Sequence, residues 1–415
     1  MKAEVITIGD EILYGQITDT NSQWISAELD KLGIKTSRKT SVGDEKKEIL
    51  TILEEAFSRV DLIICTGGLG PTKDDITKTT LAEFFKVDLI ESAEALQQVT
   101  EFFAQRNKVL TPINKKQALI PQGTKVIHNE CGTAPGMWIE NNGKVLISMP
   151  GVPFEMKAMM EKSILSLIKS HFNTPYIIHK MIKLVGIGES YLSDMIESWE
   201  LALPSHIKLA YLPSINFLRL RLTGVSDNKE TLFQEIEQEF KKVKPQIAPY
   251  LVGFDEENVE QKLADLLIKN QLTIATAESC TAGLVATKLT SIAGSSAYFK
   301  GSIIAYANEV KISALNVSPS DLENYGAVSE QVVVQMAENV RKKLNTSIGI
   351  STSGIAGPGG GTAEKPVGTI WIAIATEKET ITRKLALGNV RENNVQLTTT
   401  TLLNDLRKHL LAKYE

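Results

Sequence analysis

The stretch AESCTAGLVATKL, residues 277–289, places Ser279, Cys280 and Thr281 where an apolar β-like run gives way to a helical pattern. Small residues at such a junction leave backbone N–H groups free at a helix N-terminus, which favours an anion or a developing oxyanion. A serine nucleophile at 279 would benefit, but Ser279 or Thr281 can equally be a plain N-cap. A nucleophilic serine needs a base. From Asp255 to Glu415 the one histidine is His409, so a Ser–His–Asp triad would have to recruit it or a histidine from elsewhere. The remaining base of suitable strength is a lysine kept neutral by desolvation. Lys311 lies on a short helix-like stretch after Asn308, following the strand-like GSIIAY. Tyr306, at the end of that strand, is placed to relay a proton or to hold the amine neutral. Taken singly, a lysine is more often a solvated surface charge. Cys280 competes as nucleophile if a neighbouring lysine makes it a thiolate, although free cysteines more often pack as small buried residues. Successive positions entering a helix point in different directions, so one of Ser279 and Cys280 is expected to face the core.

Two glycine-rich stretches suggest phosphate chemistry. In SGIAGPGGGTAEKPVGT, residues 353–369, five glycines including Gly357, Gly359 and Gly360 precede Gly368 and follow a strand-like run. Such a loop can bring several N–H groups against a phosphate, though it matches neither a Walker A loop nor a dinucleotide fingerprint and is also an ordinary surface loop. In CTGGLGPTKDDITK, residues 65–78, Gly67, Gly68, Gly70 and Thr72 follow a buried strand, and Asp74 and Asp75 precede a helix. The glycines permit close approach to a phosphate, and the two acids can hold a divalent cation on its oxygens. The alternative is an Asp N-cap with turn glycines. Gly9-Asp10-Glu11, Asp19-Thr20-Asn21, Asn129 with Gly132–Gly136, and Pro150–Glu155 add polar groups near strand ends.

The elements that must position these residues read as α/β. From Ala3 to about Lys169, apolar runs such as EVITIG and DLIICTGG alternate with amphipathic helical patterns, predicting a parallel sheet covered on both faces. Ligands of such sheets bind at the carboxyl ends of the strands, where Gly67, Gly68 and Gly70 fall. Residues 170–253 read as a small α+β module: a strand, a helix, the strands IKLAYLP and NFLRLRLTG, and a charged helix. It has no cluster of catalytic residue types and reads as a spacer or dimerisation module. From residue 254 to 415 α/β layering returns. The chain thus divides into 1–169, 170–253 and 254–415.

Composition narrows the function classes. With 415 residues, 43% hydrophobic and 23% charged, the chain has material for sizeable cores. Lys+Arg 45 against Asp+Glu 49 gives a net charge of −4, without the basic excess of a nucleic-acid binder. Three widely spaced cysteines argue for a reducing compartment rather than a disulfide framework. Met1–Gly9 is strand-like rather than a signal peptide, and no apolar run has the roughly 18 residues a membrane span needs. A cytoplasmic enzyme is expected, and layered enzymes of this kind are commonly homodimers.

AESCTAG, GSSAYFKGSIIAYANEVK, GAVSEQVV and SGIAGPGGGTAEKPVGT, in this order, closely resemble the C-terminal domain of the CinA (competence/damage-inducible protein A) family, over nearly all of residues 255–411. That domain is similar to nicotinamide mononucleotide deamidases. The resemblance implies Ser279 as nucleophile, Lys311 as general base and Tyr306 as supporting tyrosine. Cys280–Gly283 would supply oxyanion N–H groups, and no cofactor would be needed. Residues 3–168 resemble the molybdopterin-binding-like domain at the N-terminus of the same family. This implies metal-dependent ADP-ribose pyrophosphatase activity, with Asp74 and Asp75 as metal or phosphate ligands and Gly67–Gly70 as the cradle. The middle segment is similar to the family's KH-like linking domain. The implied partners are therefore small nucleotides, not nucleic acid or membrane. Two alternatives stand beside the bifunctional hydrolase: a deamidase carrying a non-catalytic pterin- or nucleotide-binding module, and a non-enzymatic competence or DNA-repair partner.

Overall fold

A computed structural model of the chain describes residues 1–255 and 257–414, and the chain divides into two compact units, Met1–Ile178 with Gly224–Gln234, and His179–Thr223 with the residues from Glu235 on. In the first unit, alternation along β1 (Lys2–Ile8) sends Ala3 and Val5 to one face of a sheet and Ile6 and Ile8 to the other. The remaining strands are β2 (Lys35–Val42), β3 (Leu62–Thr66), β4 (Leu89–Glu91), β5 (Leu119–Pro121), β6 (Lys125–Ile127), β7 (Gly136–Asn141) and β8 (Lys144–Met149). The main sheet has the order β2-β1-β3-β8-β7-β6, and β4 pairs with β5 separately.

Its first four strands are parallel, as the sequence predicts, but β7 runs antiparallel to both its neighbours, β8 and β6. The cause is local. Asn142 and Gly143 both have positive φ, 51° and 76°, and an Asn-Gly pair of this kind closes a two-residue hairpin between β7 and β8. Ile25, Leu29, Met156 and Ile164 pack on one face, and Ile49, Leu53, Leu81 and Ala95 on the other. Fully burying an aliphatic side chain of this size contributes about 1.5–3 kcal/mol. Within the sheet, Glu4 is buried with its carboxylate accepting from Arg59 Nε and Nη2, both at 2.8 Å, and from Thr40 at 2.8 Å. Burial pushes its pKa up, but the Arg59 and Thr40 hydrogen bonds outweigh it, so the carboxyl lies below its usual range.

The second unit contains most of a four-stranded sheet of order β10-β11-β9-β12, built from β9 (Tyr176–Leu184), β10 (Ile207–Pro213), β11 (Leu218–Ser226) and β12 (Leu251–Phe254). The charged helix beside it, Lys229–Ile247, runs past Pro245, which the sequence places in the connection after the helix. Strand β12 pairs antiparallel with β9, and Val252 packs in one apolar cluster with Val259 and Leu263 of the next helix.

The remainder of this unit is a five-stranded sheet of order β14-β13-β15-β16-β17, from β13 (Ile274–Glu278), β14 (Phe299–Ile304), β15 (Ile348–Gly354), β16 (Thr369–Ala375) and β17 (Thr380–Ala386). Strands β14, β13 and β15 are parallel, whereas β16 and β17 return antiparallel. Leu263, Leu289, Leu402 and Leu406 cover one face, and Leu315, Val332 and Met336 the other. Among the described residues no helix is long and apolar enough to cross a membrane, and Cys65, Cys131 and Cys280 are free.

Candidate active site

Ser279 follows directly on β13. Its N–H donates to Thr352 O of β15 at 3.0 Å, which continues the ladder by one residue and fixes the serine at the strand end. The helix after it starts at Leu284, not near Ser279–Thr281 as the sequence suggests, so Ser279 is no helix cap. Ala282 and Gly283 have φ of 50° and 99°, outside helical geometry, and the chain turns before it coils. The buried carboxylate of Glu278 holds this turn. It accepts from Thr281 Oγ1 at 2.7 Å, Gly283 N at 2.9 Å, Val285 N at 3.1 Å and Ala286 N at 2.8 Å. Glu278 thus takes the first N–H groups of the helix, and the Gly283 N–H expected to face an oxyanion faces a carboxylate instead. The N–H groups of Cys280 and Thr281 are not among those that Glu278 takes.

Lys311 lies on the helix Asn308–Leu315 and is 1% exposed. Its Nζ is 3.2 Å from Ser279 Oγ and donates to the carbonyls of Ala305 at 2.9 Å and Tyr306 at 3.0 Å. A neutral amine has two N–H donors and one lone pair, which these two carbonyls and one hydroxyl match. No carboxylate among the described residues pairs with it, and burial lowers its pKa below the lysine value; Cys280 and Glu309 oppose this more weakly. The pairing of strand and helix therefore puts a usually exposed residue type in a buried position beside Ser279.

Tyr306 meets the site differently from the sequence expectation. Its main-chain oxygen touches Lys311, while its exposed phenol accepts from Arg391 Nη2 at 3.0 Å. Arg391 also donates from Nη1 to Gly357 O at 3.0 Å, so one guanidinium links Tyr306 to the glycine-rich loop. Within the loop Gly357 is buried, whereas Gly359 and Gly360 stand exposed at its tip. At Gly357, with φ of 94°, a Cβ would lie 2.7 Å from Val367 Cγ1. Cys280 is buried beside Ser279, and burial pushes its thiol up to about 12, against a smaller opposing pull from Thr352 and Arg391. A thiol held that high is not a thiolate near neutrality. Thr281 is buried with Oγ1 at 2.8 Å from Thr352 Oγ1. Sequence reasoning missed Glu278 and Arg391. The first was legible as a charge ending an apolar strand; the second, 112 positions from Ser279, had no local signal.

In the first unit the glycines after β3 fall at the carboxyl end of the sheet. Gly67 has φ of 117°, and its would-be Cβ would lie 2.0 Å from Ile8 O; Gly68 has φ of 62°. Asp74 is exposed. Asp75 is partly buried, and its Oδ2 accepts from Thr72 N at 2.8 Å and Thr72 Oγ1 at 2.5 Å. Asp75 Oδ2 also lies 2.5 Å from where a Gly70 Cβ would stand, so a side chain at 70 would have to displace the Asp75 carboxylate. Burial foremost, then the facing charges of Asp10, Glu11 and Asp75, raise the carboxyl of Asp44. Asp75 therefore belongs to an acidic neighbourhood that also includes strand-end acids. Among the described residues no three His, Cys, Asp or Glu side chains are grouped to hold a metal ion. Lys78 is buried, with Nζ donating to Gln117 O at 2.6 Å, and burial lowers its pKa to about 8.

Family models place this architecture. Residues 4–170 match the "Probable molybdopterin binding domain", residues 179–253 the "Damage-inducible protein CinA KH domain", and residues 256–410 the "CinA C-terminal domain". The chain is 55% identical to a CinA-like protein of Cytophaga hutchinsonii over 98% of each chain, and 45% identical to one of Flavobacterium psychrophilum over the whole of both. Among solved structures it is similar to a CinA protein from Thermoplasma acidophilum, at 35% identity and TM-score 0.38, covering 41% of this chain and 98% of that one. It is also similar to a competence/damage inducible protein from Agrobacterium tumefaciens, at 36% identity and TM-score 0.35, covering 37% and 96%. With full-length relatives at these identities and all three family models in order, the chain belongs to the CinA family.

Proposed function

We propose that Ser279 and Lys311 form a hydrolytic pair that deamidates nicotinamide mononucleotide to nicotinic acid mononucleotide and ammonia. One observation carries the reading: a buried lysine amine, unpaired with any carboxylate among the described residues, 3.2 Å from a serine hydroxyl at a strand end. Lys311 takes the Ser279 proton as Oγ bonds to the carboxamide carbon. The N–H groups of Cys280 and Thr281 receive the oxyanion. When the tetrahedral intermediate collapses, the lysine returns that proton to the leaving nitrogen, and ammonia departs. Water then adds to the Ser279 ester with Lys311 again as base, releasing the carboxylic acid and restoring the hydroxyl. Arg391, with the exposed N–H groups of Gly359 and Gly360, is suited to the substrate's phosphate.

For the N-terminal domain the same reading assigns metal-dependent hydrolysis of ADP-ribose. A hard divalent ion such as Mg²⁺ is commonly held by one or two carboxylates plus substrate phosphates. Asp74 and Asp75 fit that role, with Gly67, Gly68, Gly70 and Thr72 lining the phosphate; the ion would supply charge neutralisation of the diphosphate. A second reading rests on Asp75 being engaged by Thr72: the domain binds a nucleotide or pterin without cleaving it.

The test is ammonia release from nicotinamide mononucleotide by the full chain. Ser279→Ala is expected to cut turnover by about four orders of magnitude or more. Unchanged release in that variant would remove Ser279 as nucleophile.

A further inference from the structure

A cavity of 610 Å³ in the second unit is used by neither proposed site. It lies against Thr273 and Ile348, at the starts of β13 and β15, whereas Ser279 and Thr352 stand toward their far ends. Five residues of β13 lie between Thr273 and Ser279, about 20 Å at the usual strand rise of ~3.3 Å per residue. The cavity therefore belongs to the opposite end of the sheet from the Ser279–Lys311 pair.

Its lining has a definite chemistry. Among the described residues the lining has three basic side chains, Arg341, Lys378 and Lys413, and one carboxylate, Glu377. His409 also lines it, with Glu379 3.9 Å from its Nε2, beyond hydrogen-bond reach. Both His409 Nε2 and Arg341 Nε are buried without a hydrogen-bond partner. Thr273 and Ser347 bring hydroxyls to the same wall. The volume lies within the roughly 300–1,000 Å³ of small-molecule sites, and excess positive charge with hydroxyls selects a compact anion rather than an apolar ligand.

We propose that this cavity is a second binding site, for a phosphate-bearing anion of mononucleotide size, separate from the deamidation site. It does not depend on the reaction assigned to Ser279, and its test reads binding rather than turnover. Pyrophosphate is titrated calorimetrically into the full chain, into Lys378→Glu/Lys413→Glu and into Arg391→Ala. Both lysines are exposed, so their reversal is compatible with the fold. The expected result is a pyrophosphate binding event that persists in Arg391→Ala and weakens at least about tenfold in the double reversal, since two attractive charges have become repulsive. If the double variant does not fold, Lys378→Gln serves in its place, with a smaller loss of about threefold expected. Equal affinity in parent and charge variants, loss of the event in Arg391→Ala alone, or no binding at millimolar pyrophosphate would each overturn the proposal.

Discussion

The two proposed reaction sites sit at the same kind of place, the carboxyl ends of strands in an open α/β sheet, yet they are built in opposite ways. At the C-terminal site the reactive side chains are already held: Lys311 is 1% exposed and fixed by two carbonyls and Ser279, and Glu278 braces the turn that follows. At the N-terminal site the glycines are fixed by close backbone approach, but Asp74 faces solvent and Asp75 is turned toward Thr72. A proton-transfer pair has to be assembled in advance, because its pKa depends on burial that the fold must provide. Ligands for a metal–phosphate complex can stay loose, since the substrate supplies part of the coordination.

That contrast can be broken most directly at Lys311. Lys311→Arg keeps a positive charge but offers no neutral amine, and is expected to lower ammonia release by ~10²–10⁴-fold. In the parent, the rate should rise with pH as Lys311 loses its proton, with a midpoint below the ordinary lysine value because burial lowers its pKa. A pH profile without that limb, or an active Lys311→Arg protein, would move the C-terminal site into the loosely built class. For Asp75→Asn the expected loss is about 10–100-fold in metal-dependent ADP-ribose turnover, followed by AMP formation, with ammonia release unchanged. Absence of ADP-ribose cleavage by the parent would favour the binding-module reading.

Stability sharpens the same comparison. Glu278→Gln keeps the shape but removes the charge facing Gly283, Val285 and Ala286 N–H, and should cost about 2–4 kcal/mol in a denaturant melt. The equivalent change at Asp75 should cost under about 1 kcal/mol, as expected for a partly exposed group. Acid should also act unevenly. Glu4 has a folded pKa below its unfolded one, so its contribution is present at neutral pH and is lost as pH falls through the folded value; Arg59 is its partner. Glu4→Gln should therefore flatten the acid limb of a stability–pH curve. The smallest effect is expected for Cys280→Ala, within about threefold in turnover, because the thiol is buried and held protonated.

Much of this was legible in the chain. Continuous apolar runs marked β1, β3, β13 and β15, and the two residues singled out in the sequence, Ser279 and Lys311, come within 3.2 Å of each other. The turn glycines 67 and 68 were legible too, since a positive φ, and at Gly67 a close approach of the Ile8 carbonyl, favour a residue without Cβ. Less was readable where distant segments meet. The antiparallel β7 depends on an Asn-Gly hairpin that competes with the expected crossover, and β12 escapes notice because a four-residue strand carries almost no periodic signal.

Residue types and their order thus fixed what chemistry was available: a serine, a lysine with no local histidine rival, and glycines at strand ends. Only the tertiary structure decided that Lys311 is buried against Ser279, that Glu278 rather than an oxyanion takes the Gly283 N–H, and that Arg391 reaches Tyr306 and Gly357. The reason is that desolvation and hydrogen-bond partnership belong to neighbours brought together across the sheet, and one-dimensional spacing does not specify those neighbours.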